Sequence, residues 1–181
     1  MPTNTSAIPP PAGVHSPPCV RRDLLVPEAG AHGRATSFMT AELIEFVDTN
    51  VLVYAFDPSA QSKKAAAEAL VARLWETETG CLSVQVLQEF FVAVTRKVAK
   101  PLEVDEAAQR IRELAVWRVF TPSAGDVLAA IALQNEANLN FWDAMVVHAA
   151  AEMGCRMLWS EDLNHGRVLR GVTIRNPFHS A

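Results

Sequence analysis

From residue 44 onward, short apolar runs rich in β-branched residues alternate with longer segments of helical spacing. That alternation restricts the possible folds more than any other feature. Ile44–Thr49 reads as a buried strand, and after the Asp57-Pro58-Ser59 break, Lys63–Trp75 sets Ala65, Ala69, Ala72, Leu70 and Leu74 at helical intervals. Gly80–Val84 reads as a second strand and Gln85–Ala99 as a helix stopped by Pro101. Val104–Ala115 is amphipathic, with Ile111 and Leu114 set against Glu106, Arg110 and Glu113. Val116–Thr121 is the third expected strand, Ser123–Glu136 and Phe141–Met153 two more helices, and Gly154 the C-terminal cap of the second. Arg156–Ser160 and Val172–Arg175 complete the strands. Such alternation favours a parallel sheet covered on both faces, an α/β fold. Ligands of these sheets sit beyond the carboxyl ends of the strands.

Residues 1–38 break the pattern. Seven of the eleven prolines fall there (positions 2, 9, 10, 11, 17, 18 and 27), among Gly, Ser, Thr and Ala and without an apolar period. Too little surface can be buried to offset the ordering entropy, so this segment reads as a flexible arm. Arg21-Arg22 would allow a weak tether to nucleic acid or a partner. An unstructured leader, or an overlong start with Met39 as the initiator, is the plainer reading. The expected folded unit is 39–181, enough for one core.

Against this frame the acids stand out. Asp48 and Asp162 lie just past the ends of two expected strands, and Asp143 opens the apolar helix Phe141–Met153. Glu89 sits in Val84-Gln85-Val86-Leu87-Gln88-Glu89-Phe90-Phe91 with no basic residue three or four positions away. An isolated buried carboxylate costs several kcal/mol or shifts its pKa, so chains pair it or give it a metal. Each acid also has a plainer reading. Asp48 with Thr49 and Asn50 makes a polar turn, Asn140 with Asp143 a helix cap, and Asp162 a loop cap, while Glu89 could meet a distant Arg. If the acids converge, they make an oxygen-rich pocket for a hard cation such as Mg²⁺. Glu161 would take the place of Asp162 if the register slips by one. Asp126, Glu68 and Glu113 fit ordinary solvated faces, and His148 reads as a satisfied core histidine.

Other classes find little support. No stretch reaches the ~18–20 apolar residues of a membrane span, and no basic-then-apolar leader opens the chain. Cys19, Cys81 and Cys155 form no C-x-x-C pair, which argues against a zinc or disulfide framework and for a reducing cytoplasm. The G-x-S-x-G, G-x-G-x-x-G and P-loop motifs are absent. A net charge of −4 disfavours general electrostatic capture of nucleic acid but leaves room for a local basic rim. An aspartyl-nucleophile phosphatase would want a second Asp where Asn50 stands.

Taken in order, Val47-Asp48-Thr49-Asn50, Ser83-to-Phe90 with Glu89, Phe141-Trp142-Asp143-Ala144 and Leu158-Trp159-Ser160-Glu161-Asp162 resemble the PIN-domain family, most closely its VapC-like ribonuclease toxins. The resemblance spans roughly residues 43–178. It implies a Rossmann-like α/β/α sandwich with a mostly parallel sheet. It also implies an endoribonuclease site dependent on Mg²⁺ or Mn²⁺, built from Asp48, Glu89, Asp143 and Asp162 and braced by Asn50 and Ser160. Asp48 and Asp143 would be the principal metal ligands, with Glu89 and Asp162 holding a second ion or orienting water. The implied partners are single-stranded or loop RNA, a small cognate antitoxin and a second copy of the chain. Lys63, Lys64, Arg96, Lys97, Lys100 and Arg167 are candidates for flanking phosphates or are solvated helix ends. A pocket that binds RNA or a partner without hydrolysis is the alternative.

Overall fold

The computed structural model describes residues 43–179; the Pro-rich segment and the boundary at residue 39 lie outside the described residues. The described elements run β1 (Glu45–Val47), α1 (Thr49–Phe56), α2 (Ser62–Glu76), β2 (Gly80–Ser83), α3 (Val84–Arg96), α4 (Val104–Leu114), β3 (Arg118–Phe120), α5 (Ala124–Ala137), α6 (Phe141–Glu152), β4 (Met157–Trp159), β5 (Val168–Leu169) and β6 (Val172–Arg175). The strands form one sheet in the order β3-β2-β1-β4-β6-β5. Every pairing is parallel except β5 with β6. This is the mostly parallel α/β architecture expected from the alternation.

Burial explains why these short strands hold. Successive strand residues face opposite sides of a sheet. Phe46 and Val47 are nonetheless both fully buried, as are Leu82, Leu158 and Ile174. All four residues of β2 are buried. Helices therefore cover both faces, the condition under which parallel strands read as continuous apolar runs. The principal helix packing joins α1 to α2 and α3, α3 to α4, and α5 to α6. Close approach is tightest at Gly80, where an added Cβ would stand 2.5 Å from the Trp117 ring.

Two elements differ from the sequence expectation. The strand expected over Ile44–Thr49 ends at Val47, and helix α1 begins at Thr49. Asp48 caps that helix, accepting from the Thr49 N–H, while Val51, Leu52 and Ala55 are buried. Its β-branched residues continue the strand composition, which is why the helix boundary is hard to see. The unexpected β5 is a two-residue antiparallel partner of β6, joined through a turn at Arg170 and Gly171, both at positive φ. Gly154 follows α6 at φ 73°, the left-handed position expected of a terminating glycine.

The sheet order places the site. From β1 the chain steps to β2 and β3 on one side, then returns to β4 on the other side of β1. The order reverses between β1 and β4, and the crevice at such a switch point opens beyond the carboxyl ends of the strands. Asp48 follows β1, and Ser160 to Asp162 follow β4.

Candidate active site

The side chains after β1 and β4 are tied into one network. Asp48 accepts from the Ser160 hydroxyl at 2.7 Å, from the Thr49 N–H at 2.7 Å and from the Asn50 amide at 3.2 Å. The same Asn50 amide donates to Asp162 at 2.9 Å, and the Asn50 carbonyl accepts from the Glu161 N–H. Ser160, fully buried, also accepts from the Asp162 N–H. Asn50 thus holds the β1 acid and the β4-loop acid in fixed relation.

Helices bring the other two acids. Glu89, one turn into α3, accepts from Thr49 Oγ1 at 3.1 Å and from Gln85 Nε2 at 2.9 Å. Gln85 is buried and also donates to the Trp142 carbonyl, so it links α3 to the start of α6. Asp143 sits in the first turn of α6; the Asn140 side chain accepts from its N–H and donates to its carboxylate. The cap reading and the site reading of Asp143 hold together.

All four acids line one cavity of about 440 Å³, with Asn50, Tyr54, Gln85, Lys97 and Trp142 among the other wall residues. Among the described residues, no group of three or more His, Cys, Asp or Glu side chains stands close enough together to hold a metal ion.

Electrostatics set this cavity apart. Burial pushes the Asp48 carboxyl up to about 6; hydrogen bonds from Ser160 and Thr49 oppose the rise, and the charges of Glu89 and Asp162 add to it. Asp143 is raised as well, first by burial and then by Asp162 and Glu89, with Asn140 opposing. Among the described residues, the hydrogen-bond donors to these carboxylates are hydroxyls, amides and backbone N–H groups, none of them cationic. The charges of Glu89 and Asp162 thus add to burial in raising Asp48 and Asp143.

The remaining candidates separate cleanly. Glu161 turns away to an ion pair with Lys63, beside the Tyr54 hydroxyl; burial raises its carboxyl, but Lys63 and Tyr54 outweigh that and hold it low. Lys64 pairs with Glu68, and Arg167 donates to the Ala137 carbonyl. Of the six expected rim cations, only Lys97 lines the acid cavity. His148 is buried and bonds Asp126 at 2.9 Å. Asp126 needs correcting: it is no merely solvated acid, since it forms a capping box with Ser123 as well as the His148 contact. Thr49 and Gln85, which hold Glu89, had no visible role in sequence. The pairing of a buried polar side chain with Glu89 one turn later is the one signal that pointed to Gln85.

The PIN-domain family model matches residues 46–170. The chain belongs to the PIN-domain family. Nothing among the curated proteins is similar enough in sequence to match. Two solved structures share the fold. A toxin–antitoxin complex from Klebsiella pneumoniae is 18% identical, covering 75% of this chain and 99% of that one, with a TM-score of 0.56. VapBC2 from Rickettsia felis, solved bound to a DNA fragment from its promoter, is 16% identical, covering 74% and 98%, with a TM-score of 0.51. In this PIN domain the acid cavity occupies the switch-point crevice.

Proposed function

We propose that this PIN domain is a metal-dependent endoribonuclease, the toxin of a toxin–antitoxin pair. The observation that carries the reading is the convergence of Asp48, Glu89, Asp143 and Asp162 on one cavity, with no cation among the described residues bonded to any of them. Four hard oxygen donors whose charges oppose one another suit a hard divalent cation, Mg²⁺ or Mn²⁺.

Asp48 and Asp143 would hold the ion, with Glu89 and Asp162 completing the acidic wall. When bound, such an ion neutralises charge growing on phosphate oxygens and activates water for attack. The chain's own residues fix the carboxylates for that task. Ser160 and Asn50 hold Asp48, Asn50 also sets Asp162, and Thr49 and Gln85 keep both Glu89 oxygens turned to fixed positions. Asp162 is the solvent-exposed acid of the four, and in this reading it would meet incoming water and substrate. Single-stranded or loop RNA suits an open crevice, because unpaired bases can splay against its walls. The proposed partners are that RNA, a small antitoxin covering the crevice and a second copy of the chain, acting in the cytoplasm. The shared fold with a toxin–antitoxin complex supports the antitoxin.

Sequencing the 5′ ends of cellular RNA after induction of the wild type and of Asp48→Asn tests the reading. Discrete new ends are expected with the wild type alone, reproduced in vitro with Mg²⁺ or Mn²⁺ and abolished by EDTA. Cutting undiminished by EDTA would overturn the metal dependence. Metal and RNA binding without any cut would replace the nuclease by a binding module.

A further inference from the structure

The acid cavity adjoins a second one of about 610 Å³, whose walls share Glu89, Asp143, Trp142 and Lys97 with it and add Gln88 and Val92. Trp142 lines both cavities, next in sequence to Asp143. Trp142 is 60% exposed and Val92 39% exposed. The peptide beneath the indole is fixed, because the Trp142 carbonyl accepts from Gln85, the residue that also orients Glu89. Phe141 meets the indole edge to face at 5.1 Å, supporting its orientation. Lys97 is exposed, with no ion pair to any described residue.

An exposed aromatic surface one residue from Asp143, with the Lys97 cation lining the same two cavities, matches what a single RNA strand needs. Unpaired bases stack on aromatic side chains, and the backbone tracks positive charge. The volume is ample for one nucleotide. We propose that Trp142 is the stacking platform for the base beside the scissile phosphate, with Lys97 taking the next phosphate along. The inference rests on the ribonuclease reading and deepens it. It makes Trp142 a residue that sets which RNA position is gripped.

The probe is an oligoribonucleotide spanning the principal cut mapped by 5′-end sequencing, together with a series bearing one abasic site at successive positions. Binding is measured to full-length protein carrying Asp48→Asn, so that the strand stays intact. Adding Trp142→Ala is expected to weaken binding of the intact strand about tenfold or more, the usual scale for one stacked base. Trp142→Phe restores much of the loss. At one abasic position beside the cut, Trp142→Ala costs nothing further, which a merely structural role would not produce. Lys97→Ala weakens every strand alike and lowers the slope of log affinity against log salt by about 0.7. Equal losses on intact and abasic strands, or wild-type RNA binding by Trp142→Ala, would overturn the proposal. Wild-type RNA binding with lost binding of a protein partner would assign this surface to that partner. Failure to map any cut sinks the ribonuclease reading itself, and is told apart because it precedes the binding series.

Discussion

Strand β1 carries a carboxylate near each end, and the two meet opposite fates. Glu45, at its start, accepts both guanidinium nitrogens of Arg73 at 2.7 and 2.9 Å and the Trp159 indole N–H at 2.6 Å. Burial alone would raise that carboxyl, but Arg73 and Trp159 outweigh burial and hold it below its ordinary range. Asp48, just past the other end, is buried among hydroxyls, amides and other acids, and is pushed up to about 6. The charge type is shared; the partners differ, and Asp48 is also the more deeply buried. A carboxylate that finds its cation within the chain serves the fold. One that the chain surrounds with further acids keeps its charge uncompensated by any described cation, as the proposed metal site requires.

The largest effect expected from this contrast is on stability without metal. A carboxyl held at about 6, against 3.8 ordinarily, costs the folded state about 3 kcal/mol at neutral pH. Asp48→Asn removes the charge and keeps the size, so it should raise metal-free stability in urea melts by up to that amount while abolishing cleavage. The gain has a pH signature. The folded state keeps a proton that the unfolded chain has released between 3.8 and about 6, so wild-type stability from this group rises as pH falls through that window. The advantage of Asp48→Asn should be full above about 6 and gone below 3.8. A variant less stable than wild type at pH 7 would break the comparison.

The arriving partner should act in the same place. Mg²⁺ or Mn²⁺ at about a hundred times its dissociation constant should stabilise the wild type by about 2.7 kcal/mol, seen as a raised melting temperature. Asp48→Asn should lose most of that shift. An equal shift in both proteins would mean that the ion binds elsewhere.

The start of β1 should answer with the opposite sign. Arg73→Ala leaves Glu45 half-buried without its cation. The expected loss is about 1–2 kcal/mol, less than for a fully buried pair because Arg73 is itself exposed. With the Glu45 carboxyl held low, its contribution is present above the ordinary 4.5 and lost as pH falls below it. The Arg73→Ala deficit should therefore shrink in acid. Chemical denaturation at pH 7 and pH 4 reads both ends of the strand in one series.

The sequence carried more of the fold than of the network. Strand–helix alternation is local, and so were the main elements, including β2 with its four buried residues. The motif residues Asp48, Asn50 and Ser160 were legible because they directly follow strands. Glu89 was legible by elimination, since no cation lies one turn away on its own helix. Helix α1 was hidden because Val51 and Val53 continue a β-branched run, and β5 because two residues show no period. The individual contacts made across the chain were not legible, beyond the bracing by Asn50 and Ser160 that the family resemblance implied. The bond from Thr49 to Glu89 spans 40 positions, that from Lys63 to Glu161 98, and that from Asn50 to Asp162 112. Which acids find internal cations is a tertiary fact, and the functional contrast within β1 depends on it.

The smallest expected effect tests whether neutral donors beside the acids are there for stability or for position. Thr49 Oγ1 and Gln85 Nε2 each hold one oxygen of Glu89. Thr49→Val keeps the branched shape and removes only the hydroxyl, so helix α1 should keep its packing. One hydrogen bond to a charged group is lost, worth about 1.5–3 kcal/mol at most and less here, because Glu89 is only half-buried and water can replace the donor. Global stability should change by well under 1 kcal/mol. Turnover should fall about tenfold, the lower end for removing a residue that orients a metal-site carboxylate, with KM for RNA little changed. Thr49→Ser restores the hydroxyl and should recover most of the rate. A variant that loses stability without losing rate would place Thr49 with Arg73, among the groups that serve the fold.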